Sequence, residues 1–308
     1  MKKLTLILIP ITLALLIGCT RELAPGGERP KTPFRFDRIP AVDSPGAQNP
    51  DQLSTGGTEG PGIPGTTEPG NPSETDIQAL YEGGRAALAR GDLDLAIEYL
   101  SSVVEAEPKN VGALYNLGYA YRRKGDIDKA IEFSKRAVEA DPKRLYVHQN
   151  LAFAYESKGE MDLAITEFEQ ELLNHPDEPK LAGVAEKLAL IYLDRDLLEE
   201  AFDAANRSVK LEPEKASHYV VLSKVHLANG AIDQALAALE KAVSLDSENA
   251  EYRKLLGDAL WDAGRREEAR RSYNEAVTLD PKIADKIPPE RLKDSGDSDT
   301  GAPVDKPI

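Results

Sequence analysis

The chain contains 308 residues, of which 53 are acidic and 38 are basic, so its formal net charge is −15. Nucleic-acid binding requires clustered Lys and Arg that displace counterions from phosphates, and this acidic balance argues against it as a general function. Cys19 is the single cysteine, which excludes an intrachain disulfide and leaves burial to stabilise the folded part.

The N-terminal segment has the three regions of a secretory signal. Met1-Lys2-Lys3 supplies positive charge, residues 4–17 are mostly apolar, and the small Gly18 follows. The apolar run contains Pro10 and is shorter than the roughly 20 residues that cross a bilayer, which disfavours a permanent membrane span. We therefore predict that residues 1–18 are a signal peptide and that the chain is exported.

The end of this segment, Leu16-Ile17-Gly18-Cys19, resembles the lipobox of bacterial lipoproteins, whose cysteine becomes the acylated first residue of the mature chain. The resemblance implies lipidation of Cys19 and a location in the cell envelope. Enteric inner-membrane lipoproteins carry Asp where this chain has Thr20, so the resemblance favours the outer membrane, facing the periplasm if the source is Gram-negative. Removal of the signal leaves 36 basic and 53 acidic residues, a charge of −17.

Two segments have the composition of disordered chain. Residues 19–76 are dense in Pro, Gly, Ser and Thr, and residues 284–308 are polar and rich in Pro. Such segments bury too little apolar surface to offset the chain entropy lost on folding. We predict a spacer between the lipid and the folded part, and a mostly disordered tail in which Ile287 and Leu292 cover the last repeat.

Between these segments a 34-residue pattern repeats six times. Its clearest marker is a series of alanines separated by 34, 34, 37, 34 and 34 residues: Ala96, Ala130, Ala164, Ala201, Ala235 and Ala269. Each unit contains two amphipathic stretches, and small residues at matching positions allow two helices to cross closely. Glycines such as Gly125 end the first helix, and prolines such as Pro142 stop the second. The pattern predicts stacked helical hairpins.

In the second unit, Leu114, Leu117-Gly118, Tyr121 and the terminal Pro142 follow the framework of the tetratricopeptide repeat family, which the chain resembles. The resemblance covers residues 77–283. It implies an all-α, right-handed superhelical solenoid of six repeats, at residues 77–110, 111–144, 145–178, 182–215, 216–249 and 250–283.

The resemblance also implies a concave groove, lined in this family by residues two, five, nine, twelve and thirteen of each repeat. Aromatic and arginine side chains, which often anchor interfaces, are concentrated there in the first three repeats. With two asparagines at the neighbouring phase, the predicted partner-binding residues are Tyr81, Arg85, Tyr115, Asn116, Tyr119, Arg122, Arg123, Tyr146, Gln149, Asn150 and Phe153. The last three repeats are more acidic. We predict that a protein or peptide segment with acidic and apolar groups binds the N-terminal half.

No catalytic, metal or cofactor site is expected. The four histidines form neither H-E-x-x-H nor a Cys/His metal set, and neither a P-loop nor G-x-S-x-G is present. Gly60, Gly62 and Gly65 match a dinucleotide fingerprint, but without the strand and helix that the site requires. His226 occupies a large-apolar core position, which predicts a packed histidine.

The junction after the third repeat is longer by Pro179-Lys180-Leu181, and Glu171 and Asp196 break the pattern on either side of it. One interpretation is a joint between two three-repeat halves. The other is a harmless insertion, because loops tolerate extra residues at little entropic cost.

Together these features predict a lipid-anchored, non-enzymatic scaffold for proteins of the cell envelope. In outline the chain resembles the tetratricopeptide repeat lipoproteins that help type IV pilus secretins assemble. The alternative is a subunit that recruits or regulates an envelope enzyme such as a peptidoglycan hydrolase. The sequence leaves the partner and the oligomeric state open.

Overall fold

The computed structural model describes residues 73–292, and the predicted all-α repeat solenoid is confirmed there. Each hairpin has a first helix, α1 (Glu74–Arg90), α3 (Val111–Lys124), α5 (Val147–Lys158), α7 (Ala182–Asp194), α9 (Ala216–Ala228) or α11 (Ala250–Asp262). The second helices are α2 (Leu93–Ala106), α4 (Ile127–Ala140), α6 (Met161–Asn174), α8 (Leu198–Leu211), α10 (Ile232–Leu245) and α12 (Arg266–Leu279), and α13 (Pro289–Leu292) follows them. The predicted signal peptide, Cys19, the spacer up to residue 72 and the tail from residue 293 lie outside the described residues.

The first helix begins slightly before the predicted start of the repeats at residue 77. Ser73 and Asp76 form a capping box: Ser73 Oγ accepts from the Asp76 amide at 3.3 Å, and Asp76 Oδ2 accepts from the Ser73 amide at 3.1 Å. These bonds satisfy two backbone donors at the helix start. Residues 74–76, which composition assigned to the spacer, therefore belong to α1.

The core is built from the faces that the repeat pattern predicted to be apolar. Each helix packs against its hairpin partner, and each second helix also packs against the next first helix. Buried residues form three clusters along the solenoid, represented by Leu114, Phe168 and Tyr273. Within residues 73–292, no helix is both long enough and apolar enough to cross a membrane.

The turn inside each hairpin depends on a left-handed residue after the first helix. Gly125 has a φ of 89° there, and Asp196 takes the equivalent place in the fourth repeat with a φ of 59°. Asp is one of the few residues other than Gly that tolerate this conformation. The departure from the pattern at Asp196 therefore leaves the turn intact.

The insertion after the third repeat is a packed element. Residues 179–181 form a 3-10 turn, and the Leu181 side chain is 0% exposed. It belongs to the middle core cluster, which continues from Ala130 in the second repeat to Val225 in the fifth. Arg207 of α8 also donates hydrogen bonds back across the junction, to the carbonyls of Leu172 and Pro176. The core is therefore continuous through the proposed joint.

The C-terminal residues cover the last repeat. A 3-10 turn at Pro281–Lys286 follows α12, and Ile283 and Ile287 are each 3% exposed in the C-terminal cluster. Leu292 packs against the same cluster, as the sequence predicted. The solenoid end is thus closed by the first nine residues of the segment that composition assigned to the tail.

Gly118 lies where the two helices of the second hairpin are in close contact. A Cβ atom there would lie 2.4 Å from Ser134 Oγ, 2.9 Å from Asn150 Nδ2 and 3.3 Å from the Ser134 backbone nitrogen. Gly183 of α7 has no atom within 4 Å of an added Cβ. Substitution by alanine therefore produces a clash at Gly118 and none at Gly183.

We expect Gly118→Ala to lower the free energy of unfolding by about 1–3 kcal/mol, because the buried Ser134 and Asn150 must move. Gly183→Ala should raise it by no more than about 1 kcal/mol, through the lower backbone entropy of the unfolded chain. Urea denaturation followed by circular dichroism measures both. Equal effects of the two substitutions would contradict close packing at Gly118.

Candidate partner-binding groove

Three residues predicted for the groove come together across the second and third repeats. The guanidinium carbon of Arg122 lies 5.6 Å from the ring centroid of Tyr119 and 5.4 Å from that of Phe153. Tyr119 and Arg122 are on α3, and Phe153 is on α5, so the stacking of neighbouring first helices forms the contact. We call Tyr119, Arg122 and Phe153 the Arg122 stack.

Arg122 forms no salt bridge within the described part of the chain, and Glu156 acts on its guanidinium only at longer range. Its Nε atom is buried and makes no hydrogen bond. Burial lowers the pKa of the guanidinium, which nevertheless stays protonated at neutral pH. The neighbouring Glu156 is paired with Lys187 at 2.7 Å. A guanidinium held between two rings and lacking a carboxylate is preorganised to bind one.

The remaining predicted arginines differ in their surroundings. Arg123 is exposed, with its guanidinium carbon 5.9 Å from the centroid of Tyr119. Arg85 lies 5.9 Å from the centroid of Tyr81 and is paired with Glu82 at 3.3 Å. Arg85 already has a carboxylate, so the arginines that offer charge to a partner are Arg122 and Arg123.

Asn116 and Asn150 are buried between the repeats. They are 5% and 4% exposed, respectively. Asn150 Nδ2 donates to the Tyr115 carbonyl and to Ser134 Oγ, each at 3.1 Å, which ties α5 to α3 and α4. Asn116 Nδ2 lies 3.5 Å from the Tyr81 hydroxyl on α1. These two asparagines connect the repeats and expose little surface, and their role in partner binding stays a prediction.

The other predicted groove residues lie at the start of α5 and beside it. Tyr146 precedes α5, and burial raises the pKa of its phenol to about 12. Burial also raises the pKa of Tyr115, which lies close enough to Tyr146 for the two phenols to interact. Gln149 Oε1 is buried without a hydrogen-bond donor. The phenols stay neutral at physiological pH and provide an apolar wall beside the Arg122 stack.

In the last three repeats, several charged residues at or beside the groove positions are paired within the chain. His218 lies 2.8 Å from Glu186 and 3.2 Å from Glu212, and Lys254 is paired with Asp258 at 2.8 Å. Lys224 is buried near acidic residues, and burial lowers the pKa of its ammonium group. The basic groove residue Lys254 therefore already has an acidic partner in this half.

Trp261, the only tryptophan, is also covered. The guanidinium carbons of Arg266, Arg270 and Arg291 lie 4.0, 5.8 and 5.3 Å from its ring centroid. Arg291 of α13 also donates to Asp258 Oδ1 at 2.9 Å. The C-terminal segment thus occupies the groove of the sixth repeat, and the first three repeats hold the open aromatic and basic surface.

The described residues contain no group of three or more His, Cys, Asp or Glu side chains that is arranged to hold a metal ion. His226 makes an edge contact with Phe202, with ring centroids 5.5 Å apart, and burial lowers its pKa. It is a packed histidine, as the sequence predicted.

Two family models described as tetratricopeptide repeat match the chain, one at residues 81–144 and 220–282 and the other at residues 122–188. Together the matches span more than half of the sequence. The chain is a tetratricopeptide repeat protein. Tetratricopeptide repeats are protein-interaction modules. No curated protein sequence matches it significantly.

Several solved structures share the fold of this repeat protein. MamA is 25% identical, with a TM-score of 0.51, and the match covers 58% of this chain and 98% of MamA. PilF of Pseudomonas aeruginosa has a TM-score of 0.55 and 16% identity, covering 68% of this chain and 97% of PilF. YrrB, described as a repeat protein with an unusual peptide-binding site, has a TM-score of 0.53 and 18% identity, covering 62% of this chain and all of YrrB. PilF and YrrB support the fold alone.

Two residues that contact the predicted groove residues of this repeat protein were not assigned to the groove from the sequence. Lys187 Nζ of the fourth repeat lies 5.7 Å from the ring centroid of Phe153 in the third repeat, and Arg122 contacts the same ring from the second repeat. Lys187 follows a groove position by one residue, so the repeat pattern did not indicate that it contacts the groove. Glu171 reaches the start of α5 from α6, and its signal was available: it is an acidic residue where the other repeats have small or apolar ones.

Proposed function

We propose that this tetratricopeptide repeat protein is a membrane-anchored scaffold of the bacterial cell envelope, which binds a partner segment in the N-terminal half of its groove. The observation that carries the proposal is the Arg122 stack, a guanidinium held between two rings with no acidic partner in residues 73–292. The partner segment supplies a carboxylate to Arg122 and apolar side chains to the tyrosines.

The charge distribution supports the choice of half. Near Arg122 the carboxylate of Glu156 is engaged by Lys187, whereas the basic groups near Asp258 already have acidic partners. Arg122 and Arg123 can therefore form new ion pairs with an acidic partner, whereas Lys254 and Arg291 are already paired. In the second half it would compete with pairs that exist and meet further acidic side chains.

The anchor is proposed from the sequence. The apolar run ending in Leu16-Ile17-Gly18-Cys19 supports export and lipidation, and Thr20 favours the outer membrane over the inner. An acyl chain at Cys19 would hold the repeats at the membrane surface through the Pro- and Gly-rich residues 19–72.

We expect Cys19→Ser to abolish incorporation of labelled palmitate and to move the protein from the membrane fraction to the soluble fraction. Labelling with an alkyne palmitate analogue, followed by fractionation and blotting, measures both. Thr20→Ser is the matched control and should leave labelling and fractionation unchanged. Full labelling of the Cys19→Ser protein would contradict lipidation at this residue.

The envelope process is proposed from the arrangement of the chain. A lipobox followed by six repeats supports a role in assembly of an envelope complex such as a type IV pilus secretin. The alternative is recruitment or regulation of an envelope enzyme such as a peptidoglycan hydrolase, which the same groove would accommodate. The partner's identity separates the two roles.

Affinity capture from the protein's own membranes tests the proposal. Wild type and a variant lacking the side chains of Tyr119 and Arg122 are captured in parallel, and partners are identified by quantitative mass spectrometry. A secretin or pilus protein lost with the variant supports the assembly role, and a hydrolase lost with the variant supports the alternative. Identical captures would exclude the groove as the binding site.

A further inference from the structure

Glu171 is a buried acid at a position that is otherwise small or apolar. Counting the repeat spacing along the second helices gives the equivalent residues Val103, Ala137, Glu171, Ser208, Ala242 and Ala276. All six are at most 1% exposed. A carboxylate at such a place is costly unless it is bonded, and burial raises the pKa of Glu171 accordingly.

The Glu171 carboxylate bonds to the start of α5, although Glu171 itself lies on α6. Its two oxygens accept from the backbone amides of Tyr146, at 2.6 Å, and Gln149, at 3.0 Å. At the start of α3, the Asn110 side chain accepts from the Ala113 amide instead. Tyr146 has no capping side chain, so Glu171 supplies the cap from another helix.

The bonded turn has an unusual backbone. Tyr146 has a φ of 76°, in the left-handed region that bulky residues rarely adopt. A residue persists in this region only where its surroundings hold it, and such residues are concentrated at functional sites. A local backbone bond, from the Val147 amide to the Arg144 carbonyl at 3.4 Å, also crosses the turn, and the Glu171 bonds to Tyr146 and Gln149 hold it from a second helix.

The turn carries part of the candidate groove. Tyr146 and Gln149 occupy two of the predicted groove positions in the third repeat, and Tyr115 of the second repeat lies beside them. Glu171 also lies within electrostatic range of the Tyr115 phenol. The conformation of the turn therefore sets where the Tyr146 ring stands relative to Tyr115.

We propose that Glu171 is a positioning residue, whose carboxylate fixes the turn at Tyr146 and so sets the apolar wall of the groove for a partner side chain. The effect on binding rests on the proposed function, whereas the effect on the turn does not. Histidines flank the carboxylate without replacing its bonds: His175 Nε2 is 3.7 Å from Glu171 Oε1, and His148 is paired with Glu167 at 2.6 Å.

Amide hydrogen exchange of the unliganded protein, resolved by NMR, tests the effect on the turn. In Glu171→Ala the amides of Tyr146 and Gln149 lose their acceptors, and we expect their exchange to accelerate about tenfold or more. Glu171→Gln keeps one acceptor oxygen and should accelerate only one of the two amides strongly. Ser208→Ala, a substitution by alanine at the equivalent position of the fourth repeat, should leave the exchange rates of both amides unchanged.

Alanine is the residue of three other repeats at this position, so Glu171→Ala is compatible with the fold, and circular dichroism checks this directly. If Glu171→Ala loses helicity, the exchange rates of the Glu171→Gln protein alone test the role of Glu171 in the turn. Wild-type exchange rates at both amides in a folded Glu171 variant would overturn the proposal.

Binding is measured with phage-displayed random 12-residue peptides selected on wild type and retained only if they need Tyr119 and Arg122. We expect Glu171→Ala to lower the affinity for these peptides about tenfold relative to wild type. The loss of affinity should be greatest for peptides that carry a large apolar residue. Accelerated exchange with unchanged peptide affinity would overturn the role in specificity. Selected peptides that never depend on Tyr119 and Arg122 would contradict the proposed function, while the exchange rates would still decide the role of Glu171 in the turn.

Discussion

Replacing both Tyr119 and Arg122 with alanine should reduce partner capture by a factor of about 30 or more, since buried Tyr and Arg anchors each contribute about 2 kcal/mol to interfaces of this kind. The double variant removes the charge that lacks an acidic partner and one of the two rings that hold it. Because the two side chains contact each other, their effects will not add independently. Quantitative mass spectrometry of the captured proteins measures the loss, and biolayer interferometry with the identified partner measures the affinity.

The matched control lies on a second helix of the same repeat. Phe133 and Arg136 of α4 form a similar contact, with the guanidinium carbon 5.2 Å from the ring centroid. Phe133→Ala with Arg136→Ala removes the same chemistry away from the predicted groove positions, and capture should remain at the wild-type level. Thermal unfolding of both double variants confirms that the repeats remain folded. Equal losses of capture in the two variants would show that binding follows stability and not the groove.

Leu181→Ala should lower the free energy of unfolding by about 2–5 kcal/mol, the range found when a fully buried leucine is truncated to alanine. Leu181 is 0% exposed within the middle core cluster, so its removal leaves a cavity at the junction of the third and fourth repeats. In a solenoid each repeat is stabilised by its neighbours, so the loss is felt on both sides of the junction. Urea denaturation of wild type and variant measures the change.

Leu173→Ala is the control, because this leucine is 68% exposed on the neighbouring helix α6. Its truncation should change the free energy of unfolding by less than about 0.5 kcal/mol. Hydrogen exchange over residues 174–184 of the wild type then separates the two interpretations of the insertion. Exchange no faster than at the other inter-repeat turns would fit the packed Leu181 and contradict a joint, whereas a negligible effect of Leu181→Ala together with fast exchange would support the joint.

Local and periodic features could be predicted from the sequence because each repeat contains the residues that determine its own helices and turn. The alanine series placed the hairpins, the glycines placed the turns inside them, and the six hairpins lie close to the predicted repeat ranges. These signals depend on backbone conformation and on residue size at a helix crossing. Both are properties of neighbouring residues, so they survive departures such as Asp196.

The groove depended on information that the repeat pattern lacks. Asn116 and Asn150 follow groove positions by one residue, and that rotation of about 100° around a helix turns their side chains into the packed interface. The pattern predicted that Tyr119, Arg122 and Phe153 share one groove. It did not predict that Arg122 would lack a salt-bridge partner. That absence depends on which carboxylates neighbouring helices bring close.

The sequence by itself determined that this chain is a solenoid of six helical hairpins with a groove richer in aromatic and basic residues at its N-terminal end. The tertiary structure decided which of these side chains are free to bind. Pairs such as Arg291 with Asp258, and Glu171 with the Tyr146 amide, join residues 33 and 25 positions apart. Such pairing depends on the distances between side chains of stacked helices, which no single repeat encodes.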